Sequence, residues 1–124
     1  ASERIYYDPS RMMEIWDENG PTGMYTVVPD IVDTKNAHAY RLKFPTGFPE
    51  LPDGSMIVVD TREQPGNQDF VFAEIKGVPS AYKFISRGGD NYLDVGDSRL
   101  PLIPMNDDVK IIGVIVYMAR SLKR

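Results

Sequence analysis

Nucleophiles, metal ligands and titratable pairs are scarce in this 124-residue chain. It has no cysteine, which removes disulfides, thiolate metal sites and a cysteine nucleophile together and fits a reducing compartment. The single histidine, His38, rules out a polyhistidine metal site or a His–His acid/base pair within one chain. Asp53, Asp60, Asp69, Asp90, Asp94 and Asp97 stand singly at turn positions, where aspartate is favoured because it hydrogen-bonds nearby backbone. Asn106-Asp107-Asp108 completes no calcium-loop pattern, and no glycine-rich phosphate loop or nucleotide fingerprint occurs. Neither a metal nor a cofactor is expected. Ser55 follows Asp53-Gly54 and reads as a turn residue. Lys83 lies between Tyr82 and Phe84, as a strand lysine does when its stem covers apolar surface.

The elements that must position these residues are mostly strands. Residues 8–19 read as a short helix: Asp8 suits an N-cap, Pro9 suits the first helical position, Met12, Met13, Ile15 and Trp16 give an apolar face, and Asn19-Gly20-Pro21 ends it. Tyr25-Thr26-Val27-Val28 is a strand stopped by Pro29. Residues 39–44 alternate, with Tyr40, Leu42 and Phe44 on one face and Arg41 and Lys43 on the other. Residues 45–52 carry three prolines and a glycine and form a loop or bulged edge. Met56-Ile57-Val58-Val59 is a run expected of a strand covered on both sides. Residues 70–76 and 80–86 flank a hairpin signal at Gly77-Val78-Pro79. Tyr92-Leu93-Asp94-Val95 is a shorter strand after Gly88-Gly89-Asp90, and residues 109–118 make a long β-branched closing strand. About seven strands and one N-terminal helix give a mainly β fold, a compact barrel or sandwich, in a single domain over residues 1–124.

Hydrophobic residues make up 42% and charged residues 26%, ordinary values for a globular protein. The longest apolar run, residues 111–119, is too short to span a bilayer and reads as a buried strand, so no membrane partner is expected. No basic-then-apolar leader opens the chain, and its start at Ala1 suggests a piece of something longer. Net charge is −4, from 14 basic and 18 acidic residues, which argues against a phosphate-neutralising surface. Only the tail, Arg120-Ser121-Leu122-Lys123-Arg124, is basic.

In the second half a pattern emerges. Leu51-Pro52-Asp53-Gly54-Ser55-Met56-Ile57-Val58-Val59-Asp60 resembles the Pro-Asp-Gly block and following strand of LexA and lambda-type phage repressors. Gln64-Pro65-Gly66-Asn67-Gln68-Asp69-Phe70-Val71-Phe72-Ala73 resembles their next block, a Pro-Gly turn and strand. Ser80-Ala81-Tyr82-Lys83-Phe84-Ile85 is similar to the strand bearing their catalytic lysine. Pro101-Leu102-Ile103-Pro104 and Ile111-Ile112-Gly113-Val114-Ile115-Val116 look like the closing blocks. The resemblance runs in one order over residues 39–120. It implies the LexA-like fold of the C-terminal domains of these repressors, their self-association, and a helix-turn-helix domain lying outside this chain. A cytoplasmic setting in a bacterial host comes with it.

Self-cleaving members of that family use a serine and a neutral lysine, and Lys83 matches the lysine position. Their serine sits in a Gly-x-Ser-Met element before the Pro-Asp-Gly block. Here that stretch reads Lys43-Phe44-Pro45-Thr46-Gly47-Phe48-Pro49-Glu50 and holds no serine. Thr46 offers a hydroxyl nearby without the motif around it. Gly54-Ser55-Met56 imitates the motif but falls at the start of the following strand. The chain also lacks the Ala-Gly dipeptide that such members cleave. The expectation is therefore no working catalytic residue: Lys83 is a relic, with Thr46 and Ser55 as fallback nucleophiles for the rival reading, an active Ser/Lys self-peptidase. A free-standing small-ligand domain is a third and weaker reading.

The favoured expectation is an oligomerisation and regulatory domain of a phage repressor, relieved by an antirepressor protein instead of by cleavage and touching operator DNA only through the missing domain. Ile112, Val114, Val116, Tyr117 and Met118 put apolar side chains on both faces of the closing strand and are the expected interface of a homodimer or higher oligomer. Met12, Met13 and Trp16 of the first segment, together with Phe48 of the proline-rich loop, are the candidate partner-binding residues.

Overall fold

A computed structural model describes residues 9–17, 19–43 and 45–122. Among them the chain forms one nine-stranded sheet and a single turn of 3-10 helix, Pro9–Arg11. The strands are β1 (Met12–Asp17), β2 (Gly20–Val27), β3 (Ala37–Arg41), β4 (Met56–Asp60), β5 (Phe70–Ile75), β6 (Val78–Arg87), β7 (Asp90–Asp94), β8 (Ile103–Pro104) and β9 (Val109–Ala119). Their order across the sheet is β2-β1-β3-β4-β9-β5-β6-β7-β8. Every neighbouring pair is antiparallel except β1 and β3.

The mainly β class expected from the sequence holds, and the N-terminal helix does not. Residues 12–17 are a strand, with Met13 and Ile15 buried against β3 and β4. Met12, Ile15 and Trp16 fit a helical spacing, but Met13 and Ile15 equally fit the two-residue period of a strand. Non-local pairing decides between them, because β1 gains ladders on both sides, with β2 and with β3. The helical start signal survives as the one turn over Pro9–Arg11. From it the Arg11 guanidinium donates to the carbonyl oxygens of Pro29 and Val32, tying the strand entrance to the loop after β2. The proposed N-cap Asp8, the strand residue Phe44 and the tail residues Lys123 and Arg124 lie outside the described residues. The count rises from seven strands to nine because residues 12–17 join the sheet and Ile103–Pro104 adds a short edge.

Hairpin chemistry places the β5–β6 turn at Lys76 (φ 51°) and Gly77 (φ 81°), both left-handed as a two-residue turn with the right twist requires. Val78 and Pro79 therefore belong to β6. Pro79 is tolerated because β7 pairs with β6 only from Lys83 onward, so no ladder needs an N–H there.

The sheet bends on itself. Tyr40 on β3 and Phe72 on β5 bring their ring centroids to 4.6 Å although two strands separate them in the sheet order. Inside the bend lie Leu42, Phe48, Leu51, Ile57, Val59, Phe72 and Ala81. The opposite face carries two clusters, one around Met13, Ile15, Met56 and Val58 and one around Val71, Phe84, Leu93 and Val114. Strand β4 is buried on both faces, as its unbroken apolar run implies.

Strand β9 sits between β4 and β5 and shifts register against each, by an extra residue at Val116 and another at Ile112. These bulges give its apolar residues a three-residue spacing: Ile112, Ile115 and Met118 pack inside the bend, while Ile111, Val114 and Tyr117 pack on the other side. Gly113 makes this possible, since a Cβ there would lie 2.4 Å from the carbonyl oxygen of Asp60.

Candidate functional site

Lys83 lies mid-way along β6, opposite Phe70 on β5 and Asp94 on β7. Its side chain is half-buried, and its Nζ stands 5.5 Å from the centroid of the Phe48 ring and 5.2 Å from that of Phe70. The two rings meet edge-on at 5.2 Å. An ammonium over two aromatic faces gains electrostatically from both, by about 0.5–2 kcal/mol in all. Among the described residues no carboxylate comes within ion-pair distance of Lys83. The Asp94 carboxylate accepts instead from the Gly96 amide at 3.1 Å.

Phe48 reaches the lysine because the loop over residues 45–52 is pressed against the segment after β7. A Cβ on Gly47 would lie 2.9 Å from the carbonyl oxygen of Val95, and one on Gly96 would lie 3.0 Å from the Gly47 carbonyl carbon. Both glycines are left-handed, at φ 81° and 82°. Only a residue without a Cβ fits this contact at ordinary cost.

Within the loop Thr46 is buried. Its Oγ1 donates to the Leu51 carbonyl oxygen at 2.7 Å and accepts from the Phe48 amide at 3.1 Å, a local turn that closes the loop on itself. Ser55 is fully buried, and its Oγ donates to the Pro52 carbonyl oxygen at 2.6 Å. Among the described residues neither hydroxyl is hydrogen-bonded to Lys83. A lysine takes a proton from a hydroxyl within hydrogen-bond reach, directly or through one water. What the arrangement offers is a lysine on an aromatic shelf, with the two candidate hydroxyls each engaged by backbone instead of by the lysine.

The other expected site residues are dispersed. Met13 and Phe48 are each 7% exposed and Val114 is 5% exposed, so all three are taken up by the chain's own core. This corrects the reading of Met13 and Phe48 as partner-binding residues and of Val114 as an interface residue. Strand alternation turns Met13 inward, the glycine contact draws Phe48 inward, and the bulge at Ile112 turns Val114 into the outer cluster. Ile112, Tyr117 and Met118 are half-buried against that core, and Val116 alone of the group is largely exposed. Met12 is exposed, while Trp16 stands edge-on to His38 at 4.7 Å. Trp16 also lines a groove of about 180 Å³ with Tyr40, Leu42, Phe72, Pro79 and Ile112, and the Lys43–Asp17 ion pair at 3.9 Å stands at its rim. Burial raises the phenol pKa of both Tyr40 and Tyr82, and the Glu74 carboxylate adds to the effect at Tyr40. Phe70 and the Gly47–Gly96 contact carry no signal in the sequence, because each acquires its role from residues far along the chain.

The profile of the Peptidase S24-like family matches residues 17–116. The chain belongs to that family. Within this Peptidase S24-like domain the match takes in the loop bearing Thr46 and Phe48, the strand bearing Lys83 and most of β9. The domain is also similar to the Repressor protein C2 of Salmonella phage P22, 34% identical over 74 residues, which cover 58% of this chain and 34% of the phage protein. It thus spans about a third of that relative's length. Among the described residues no helix of this S24-like domain is long and apolar enough to cross a membrane.

Proposed function

We propose that this chain is the assembly and regulatory domain of a phage-type transcriptional repressor in which the Ser–Lys self-cleavage centre has been lost. The family and the likeness to a phage repressor support the repressor role. The observation that carries the loss of cleavage is the state of the two hydroxyls, each engaged with a backbone carbonyl and neither hydrogen-bonded to Lys83. On this reading the domain, one unit over residues 1–124, joins repressor subunits so that their separate helix-turn-helix domains engage paired operator sites. Induction then comes from an antirepressor protein that binds the repressor and removes it from DNA. Bacterial cytoplasm is the setting this implies.

One observation favours the rival, an active self-peptidase: Phe48, whose ring carries the Lys83 amine, is hydrogen-bonded through its amide to Thr46. That reading requires the loop to rearrange so that the Thr46 hydroxyl leaves the Leu51 carbonyl and reaches the lysine. Incubation of the full-length protein at about pH 9, alkaline of neutral but below the ordinary lysine range, separates the two readings. The expected outcome is an unshortened band for the unmodified protein and for Lys83→Ala alike. A shortened product that disappears in Lys83→Ala would establish the peptidase, and Thr46→Ala and Ser55→Ala would locate its nucleophile. The pH stays below the tyrosine range for a reason. Burial raises the Tyr40 and Tyr82 phenols above the ordinary 10.0, so what they contribute to stability is present below that value and is lost as pH rises through their raised folded-state values.

A further inference from the structure

Of the two sheet edges, β8 is two residues long and ends in Pro104, which blunts it. The other edge, β2, is eight residues long, contains no charged residue and is exposed along most of its length. Met24, Tyr25 and Val27 are 63%, 58% and 51% exposed. Uncharged exposed edges of this kind invite pairing, and the blunting devices that β2 does carry, Pro21 and the register irregularity between Glu14 and Trp16 of its β1 partner, lie toward its start, away from Thr26.

The ladder with β1 fixes which backbone groups of β2 are open. The Val28 amide donates to the Arg11 carbonyl oxygen, and the register runs Met12 opposite Val27, Met13 opposite Thr26 and Glu14 opposite Tyr25. Antiparallel pairs alternate between hydrogen-bonded and open, so Tyr25 and Val27 turn their N–H and C=O groups away from β1. Farther along, the Gly23 amide is taken by the Glu14 carboxylate and the Met24 amide by the Thr22 hydroxyl, so the usable edge is centred on Thr26.

We infer that a second copy of this chain pairs antiparallel with β2, about a two-fold axis through Thr26. The register is self-complementary. Tyr25 of each copy exchanges two hydrogen bonds with Val27 of the other, and the four open groups on each strand are satisfied. The Tyr25 side chain then lies across from the other copy's Val27, an aromatic on a β-branched residue, and Thr26 faces Thr26, both favourable cross-strand pairs. No like charges meet, because the strand has none. Met12, on the same face as Val27 in the β1–β2 register, extends the apolar contact. The inference rests on the assembly role proposed above and moves the contact away from β9, whose two edges are already paired to β4 and β5.

Charge exchange on the purified chain tests it. Tyr25→Lys/Val27→Lys places like charges directly opposite one another across the axis, and Tyr25→Glu/Val27→Glu does the same with the opposite sign. In sedimentation equilibrium over micromolar concentrations each double variant alone should dissociate at least about tenfold more readily than the unmodified chain. An equimolar mixture of the two should recover the dimer, with circular dichroism unchanged throughout because both side chains are exposed. A dimer that persists in both variants overturns the β2 assignment and leaves the assembly role standing, and Val116→Lys then asks whether the β9 bulge holds it. Dissociation without recovery in the mixture also overturns the assignment. An unmodified chain that stays at 14.0 kDa at every concentration overturns both the assignment and assembly by this domain alone.

Discussion

At the scale of single residues, the site is shaped by two glycines and an aromatic shelf more than by any group that could react. Gly47 and Gly96 allow backbone-to-backbone contact, and that contact carries Phe48 to Lys83. Gly47→Ala forces a Cβ against the Val95 carbonyl at a left-handed φ and should destabilise the chain by about 1–3 kcal/mol in urea denaturation. Lys83→Ala, by contrast, removes only the contact of a half-buried amine with two rings. Its expected cost is about 0.5–2 kcal/mol, with the proposed repression by the full-length protein unchanged. A Lys83→Ala protein that folds and represses marks the lysine as a relic. Lost repression with an intact fold would give the residue a task outside proteolysis.

At the scale of elements, strands with one strong period were legible and the mixed ones were not. Met56–Asp60 announced burial on both faces through an unbroken apolar run, and the pairing of residues 70–76 with 80–86 followed from the turn between them. Residues 12–17 misled because their apolar positions satisfy two periods, and the ladders that settle the matter come from residues 20–41. β9 misled for another reason. A strand with apolar residues on both sides suggested an uncovered face, but two bulges and a sheet bent on itself cover nearly all of it. The strand that carries Lys83 was readable from its block, whereas Phe70 and Phe48 became its neighbours only through β5 pairing and loop packing. The strand assignment of β1 is open to a direct check. Ile15→Ala should cost about 2–5 kcal/mol and Met12→Ala within about 0.5 kcal/mol, since strand alternation buries one and exposes the other. Comparable losses at both positions would restore the helical reading.

At the scale of the whole molecule, charge and sheet edges decide what the domain can touch. A surface carrying net charge −4 repels the phosphate backbone, and counterion release, the main source of non-specific affinity for DNA, needs clustered lysine and arginine. The described fold has no helix that could enter a major groove, since its one helical turn is three residues long. The isolated chain should therefore give no retained band with operator DNA at physiological salt, at concentrations where, on the proposed role, the full-length protein saturates it. A sequence-specific shift by the chain alone would sink the assembly reading, because DNA contact would then reside in this domain. The same experiment has a second arm. If the protein is the proposed repressor and its subunits join through this domain, excess isolated chain added to the full-length protein forms mixed dimers with a single DNA-binding end. Such dimers lose the effective concentration that links the two half-sites, so operator occupancy should fall as the chain is titrated in. Tyr25→Lys/Val27→Lys chain, unable to pair along β2, should leave occupancy where it was. A fall produced equally by both chains would place the joint elsewhere on the domain, and no fall from either would place it outside the domain.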